Sequence, residues 1–160
     1  MSSEGAPKAA SPDARGARIG VCVSRFNAEI TEALTDGALE VLRTAGATIE
    51  GPHLVAGAFE LPLLAQALAV SGCDAVVALG CVIRGETPHF ELIAGESARG
   101  LMQVMLETGV PIGNGVITTE DRAQAEARAG GSDGNKGAEA ALAALETLHA
   151  LRAVAARNQP

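Results

Sequence analysis

Residues 74–83 read DAVVALGCVI. A continuous apolar run of this length, rich in valine and bounded by polar and glycine residues, fits a strand buried on both faces. An alternating pattern, with one face open to water, would look different. RIGVCVS at 18–24 is a shorter apolar run of the same kind, and TIEGPHLVA at 48–56 and VPIGNGVIT at 110–118 are read as further strands. Between them the apolar spacing changes to that of a helix. Ile30, Leu34, Ala38, Val41, Leu42 and Ala45 recur on one face, with Asn27 as a candidate N-cap and Gly46 as a stop. Leu61, Leu64, Ala65 and Leu68 do the same before Gly72, and a further helix is expected over about 90–108. Helical segments around 120–129 and 137–156 close the chain, separated by the turn-rich AGGSDGNKG. The order is β-α-β-α-β-α-β-α-α. Both-face burial with helical crossovers predicts a four-stranded parallel sheet inside a three-layer α/β/α sandwich.

The remaining composition narrows the function classes. The chain has 160 residues, of which 48% are hydrophobic but only 2% aromatic, so its core must be aliphatic. That length fits one domain, placed over 17–157, behind a Ser-, Ala-, Pro- and Gly-rich stretch at 1–16 expected to be a flexible tail. Twelve Lys and Arg against nineteen Asp and Glu give a net charge of −7. Without basic runs or an aromatic platform, a nucleic-acid partner is not expected. No apolar run is of membrane-spanning length and no signal-type segment opens the chain, so the expectation is a cytoplasmic protein with no membrane partner. Cys22, Cys73 and Cys81 form no C-x-x-C pair and no ligand cluster with histidine, and read as reduced core thiols.

In open parallel sheets, ligands bind beyond the carboxyl ends of the strands. The segments SRFN, AGAFE, CVIRGETPHF and GNGVITTED fall there. His89 stands in a loop with Arg84, Glu86 and Thr87, and a neutral imidazole moves protons near pH 7; a solvated loop histidine is the bland alternative. His53 and His149 look structural or merely exposed. GNKG at 134–137 puts Lys136 before a helix start, where an anion is favoured, although ordinary turn chemistry also explains it. Arg128 lies close by in sequence, either as a second phosphate-binding cation or as a solvated helix end. Phe26 can stack on a flat ring or staple a helix. Glu60 can serve a helix dipole or accept ligand hydroxyls. No G-x-G-x-x-G or P-loop pattern occurs, which argues against a nucleotide cofactor.

Taken together, SRFN, GAFELP, DAVVALGCVIRGETPHFE, NGVITTED with QAEARAG, and NKGAEAA resemble the lumazine synthase family in order and spacing over roughly 18–150. VIRGETPHF is the most specific of these. Ala56 departs from the proline that many members carry before GAFE, and Asn114 stands where many place an aromatic. The resemblance implies a flavodoxin-like fold and a transferase of riboflavin biosynthesis. The implied reaction joins 5-amino-6-ribitylaminouracil to 3,4-dihydroxy-2-butanone 4-phosphate, with no metal and no cofactor. By resemblance His89 is the proton-transfer residue. Gly85, Glu86 and Thr87 would line the butanone phosphate, and Arg128 would bind its phosphate with Lys136 nearby. Phe26 would stack on the pyrimidine. Ala58, Phe59 and Glu60 would hold the ribityl chain and ring, while Cys81, Val82 and Ile83 would offer backbone groups to the uracil edge. Arg84 is read as structural.

The resemblance also implies a homo-oligomer, either a pentamer or a sixty-chain icosahedral shell, with Asn114 and Arg128 supplied by a neighbouring subunit and riboflavin synthase as a possible partner. The short RAGGSDGNK connection favours the shell. Two other classes compete: a non-catalytic flavin or lumazine binder, and a flavodoxin-like electron carrier. The phosphate-type cations argue against the first and the scarcity of aromatics against the second.

Overall fold

The computed structural model describes residues 12–157. Strands β1 (Arg18–Ser24), β2 (Thr48–Val55), β3 (Ala75–Ile83) and β4 (Ile112–Thr119) alternate with helices α1 (Ala28–Thr44), α2 (Leu61–Val70) and α3 (His89–Thr108). Helices α4 (Arg122–Arg128) and α5 (Lys136–Arg157) follow. The four strands form one parallel sheet in the order β2-β1-β3-β4, as the apolar runs require.

Successive side chains of a strand point to opposite faces, so each strand feeds two cores. Ile19, Val21 and Val23 with Ala75, Val77 and Leu79 pack under Leu42 of α1 and Ala141 and Leu145 of α5. Cys22, Val76 and Ala78 pack on the other face under Leu61, Ala65 and Leu68 of α2 and Leu101 and Val104 of α3. Helix α1 buries Ile30, Leu34, Ala38 and Leu42 at one-turn intervals, with Thr31, Thr35 and Leu39 beside them. It ends where Gly46 turns to φ 78, with its N–H on the Arg43 carbonyl and the next N–H on Leu42. This is the paired-bond glycine stop of a helix.

Some details differ from the sequence reading. Asn27 precedes α1, but its side chain makes no cap bond; it lies in the left-handed region at φ 57 and its amide reaches elsewhere. A 3-10 turn at Ala58–Glu60 precedes α2. Helix α4 is shorter than expected because Asp121 caps it, accepting from the Gln124 N–H at 2.8 Å. The stretch read as plain turn contains a small antiparallel ribbon, β5 (Ala129–Gly131) with β6 (Gly134–Asn135). Gly130 at φ 107 and Gly134 at φ 77 permit that reversal. Of the tail expected over 1–16, residues 1–11 lie outside the described residues. Ala14 is buried and donates its N–H to the Ala45 carbonyl at 2.8 Å, so the fold takes in residues before 17.

Helix α5 lies close against its neighbours through missing side chains. A Cβ on Gly137 would collide with the Leu34 carbonyl oxygen of α1, and one on Gly113 of β4 with the Ala140 carbonyl oxygen. Gly137→Ala is therefore expected to destabilise the protein by about 1–3 kcal/mol through overpacking. A lowered urea midpoint at unchanged slope checks this, and an unchanged midpoint would refute the close approach.

Candidate active site

The sheet order reverses between β1 and β3, which run side by side while their crossovers lead away in opposite directions. A crevice at their carboxyl ends follows. Pairing of β1 with β3 stops at Val23 and Leu79, whereas β3 continues alongside β4 to Ile83 and Thr119. Beyond Leu79 the β1-facing backbone of β3 is therefore free of strand partners. The Cys81 carbonyl points to that side and accepts from the Asn27 side-chain amide at 3.0 Å. Ile83, two residues on, presents its backbone the same way. Arg84 turns back to β4, donating its N–H to the Thr119 carbonyl at 2.9 Å.

Around this edge the structure brings together most of the residues singled out from the sequence. Phe26 is 69% exposed, and a Cβ on Gly57 would sit 3.5 Å from its Cδ2, so the ring lies beside the bare Gly57 backbone. Ala58, Phe59 and Glu60 form the 3-10 turn, which packs against β1, β3 and α3 at once. Ala58 is buried beneath it, Phe59 is 54% exposed, and the Glu60 carboxylate accepts the Gly57 N–H at 2.8 Å. Gly85, Glu86 and Thr87 lie in an exposed loop that ends at His89, the first residue of α3. A Cβ on Gly85 would meet nothing within 4 Å, so no contact inside the chain demands glycine there. The result is a solvent-open edge with an aromatic face, a carboxylate, unpaired backbone groups and an imidazole at a helix start.

Other residues stand apart from this group. Asn114 lies in the middle of β4, opposite Ala78, with its Oδ1 on the Val116 N–H. It is five residues short of the strand end, about 17 Å along the chain. Arg128 and Lys136 are set side by side by the ribbon, which pairs Ala129 with Asn135. Arg128 Nη1 donates to the Gln124 carbonyl at 3.0 Å and lies 3.2 Å from Asp133 Oδ2. Lys136 Nζ binds the Glu139 carboxylate at 2.7 and 2.8 Å. The anion reading of the α5 start needs correction. Asn135 Oδ1 already accepts the N–H groups of Gly137 and Ala138, at 2.9 and 3.1 Å. The helix N-terminus is thus capped from within, and the two cationic side chains are what an anion would meet.

Sequence reasoning missed the part played by Asn27. Its left-handed backbone and its bond to Cys81 tie the Phe26 turn to β3; the residue type allowed this geometry, but nothing local indicated the partner. His53 rests on Glu50 at 3.2 Å and His149 is exposed on α5. Among the described residues, no three His, Cys, Asp or Glu side chains are grouped as metal ligands.

The three cysteines are free and buried. Burial pushes Cys81 up to about 11 and Cys22 up to about 12, and it raises Cys73 as well. Thiols with such values are almost wholly protonated at pH 8 and shielded from reagents. The native protein is expected to titrate essentially no cysteine with Ellman's reagent at pH 8, and three per chain in guanidinium chloride. Fast reaction of a native thiol would contradict the buried placement.

A family model described as 6,7-dimethyl-8-ribityllumazine synthase matches residues 16–152. Curated relatives with that name are similar over most of the chain. A Thermus thermophilus protein is 52% identical over 136 residues, covering 81% of this chain and 86% of that protein. One from Corynebacterium glutamicum is 47% identical, covering 82% of this chain and 81% of its own length. One from Chlorobium phaeobacteroides is 52% identical over 128 residues, covering 77% and 81% respectively.

Proposed function

The chain belongs to the 6,7-dimethyl-8-ribityllumazine synthase family, and from that membership we propose which of its residues carry the reaction. The protein condenses 5-amino-6-ribitylaminouracil with 3,4-dihydroxy-2-butanone 4-phosphate to 6,7-dimethyl-8-ribityllumazine, releasing phosphate and water, in riboflavin biosynthesis. Substrate amine attacks the ketone carbon and water leaves as the imine forms. Phosphate is then eliminated, and the second amine closes the ring on the remaining carbonyl with loss of water. Each step transfers protons, so the protein's tasks are orientation, anion binding and acid–base catalysis.

The observation that carries the assignment is the edge of β3. Beyond Leu79 its β1-facing backbone lacks strand partners and is flanked by the Phe26 ring and the Ala58–Glu60 turn. Such an edge suits a flat heterocycle: Phe26 stacks on it, and the backbone of Cys81, Val82 and Ile83 meets its polar rim. Because Asn27 occupies the Cys81 carbonyl, Ile83 offers the freer backbone contacts on that side. Ala58, Phe59 and Glu60 hold the ribityl chain, Glu60 with the carboxylate oxygen that Gly57 leaves unused. Gly85, Glu86 and Thr87 border the butanone phosphate, and His89 moves the protons. Arg128, with Lys136, clamps the phosphate.

His89→Ala is expected to lower turnover by about 10²-fold, the lower end of the usual loss on removing an acid–base group. Lumazine fluorescence after mixing both substrates reads the rate. Full activity in the variant would remove His89 from proton transfer.

The site is further proposed to be shared between subunits. Among the described residues, the side chains of Asn114, Arg128 and Lys136 make only local polar contacts, which suits a role in a neighbour's site. Helix α3 leaves Leu92, Met102 and Leu106 more than half exposed, surface that assembly would cover. The compact β5–β6 ribbon fixes the angle at which α5 leaves α4 and so favours the sixty-chain shell over the free pentamer, in a cytoplasmic enzyme that riboflavin synthase can accompany. Refolding Phe26→Ala together with Arg128→Ala should restore activity that neither variant has alone, because some interfaces then receive both native residues. Absence of recovery in mixed assemblies, verified by light scattering, would put both residues in one protomer's site.

A further inference from the structure

Arg84 follows directly after β3, beside the edge described above, and the reaction scheme gives it no task. Its guanidinium meets three side chains, Glu120, Glu91 and Phe90. Nε donates to Glu120 Oε2, just beyond β4, at 2.6 Å. Nη1 binds Glu91, in the first turn of α3. The guanidinium carbon stands 4.2 Å from the centroid of the Phe90 ring. The backbone N–H on Thr119 extends the β3–β4 pairing to Arg84 itself.

These contacts enclose one segment. Residues 85–88 leave Arg84 and return at His89, whose two successors in α3, Phe90 and Glu91, are the ones the guanidinium holds. Among the described residues, Glu86, Thr87 and His89 make no side-chain hydrogen bond of their own, so the position of the loop is set by its two ends. Stability is a poor explanation for the arrangement. Arg84, Glu91 and Glu120 are 36%, 57% and 60% exposed, and exposed ion pairs contribute little. Direction is a better one. A planar fork that spans two carboxylates on different elements while lying over a ring fixes the angle between those elements, which a single ammonium cannot do. Glu91 is correspondingly held below the usual carboxylate range, first by its bond to Arg84, and stays charged as the partner.

We propose that Arg84 is a positioning residue for the condensation: by bridging Glu120 and Glu91 across the 85–88 loop, it holds the start of α3 so that the His89 imidazole faces the reacting groups. This rests on His89 as the proton-transfer residue. Small displacements of a positioned group cost rate rather than binding. Groups that act through one another are non-additive when both are removed.

The test is steady-state kinetics by lumazine fluorescence on full-length Arg84→Ala, Arg84→Lys, His89→Ala and the Arg84→Ala/His89→Ala double variant. Arg84→Ala should lower kcat by about tenfold with both KM values within about twofold. Arg84→Lys keeps the charge but loses the fork; it should fall in the same direction, and it serves if the alanine variant fails to fold. In the His89→Ala background, removing Arg84 should cost less than about twofold. If His89→Ala is impaired and the two losses multiply, Arg84 acts independently of His89 and the proposal is overturned. A rise in KM at constant kcat overturns it in favour of substrate binding. If His89→Ala is fully active, the proton-transfer reading fails first, and the positioning role falls with it.

Discussion

Strand β3 is buried on both faces from Ala75 to Cys81, and the rest of the structure depends on that burial. With no face open to water, its apolar side chains demand a helical layer on each side, and its backbone demands a strand on each edge. Strand β1 supplies one edge and β4 the other, but unequally. The β1 ladder stops at Leu79 and the β4 ladder runs on to Ile83. The difference leaves a stretch of strand backbone bare just where the chain leaves the core. A sheet that finished flush would have no such ledge, and the Phe26 turn would have nothing to close over.

Aliphatic side chains and buried thiols build the layers, and they do so by approaching closely rather than by filling space with large rings. Gly113 and Gly137 admit backbone of neighbouring elements where any side chain would collide, and Asn135 fills the space beside Gly37 while reaching the Ala33 carbonyl at 2.8 Å. One asparagine therefore caps α5, bonds α1 and terminates the ribbon that carries Arg128 and Lys136. The segment carrying the cationic pair is thereby tied to α1 and α5, although it sits on a glycine-rich connection.

The parts of this arrangement legible in the sequence are those governed by local pattern. Apolar runs announced the strands, although the edge strand β2 proves half-buried to exposed, and helical spacing announced α1 and α2, because burial acts on each segment through its own periodicity. The crowd of polar residues after β3 was legible as a site for the same reason: a core strand has no local need of Arg84, Glu86, Thr87 and His89. Long-range partners were not legible. Asn27 reads as a helix cap until its amide is found on Cys81, fifty-four residues away. The N–H groups at the start of α5 read as an anion site until Asn135 Oδ1 is found on them. The β5–β6 ribbon escaped because glycine-rich segments specify no conformation of their own; the left-handed glycines allow the reversal, and the helices on either side select it.

An acidic chain that must attract a phosphorylated substrate poses an electrostatic problem, and the arginines show how it is met. Arg84 lies between Glu91 and Glu120, and Arg122 between Glu29 and Glu126. Each Glu–Arg–Glu bridge joins separate elements around the carboxyl end of the sheet, and each carries net negative charge. Arg128 and Lys136 differ, for each faces a single carboxylate, Asp133 and Glu139 respectively. A cation shared by two carboxylates has little to offer a third anion. A cation with one exposed carboxylate partner, in a pair that water already weakens, can exchange it for a phosphate bearing more charge and more acceptor oxygens. The carboxylate that leaves returns to water at small cost. The count of partners thus separates arginines that shape the rim from those left able to bind, and under the proposed assignment Arg84 and Arg128 fall on opposite sides of that division.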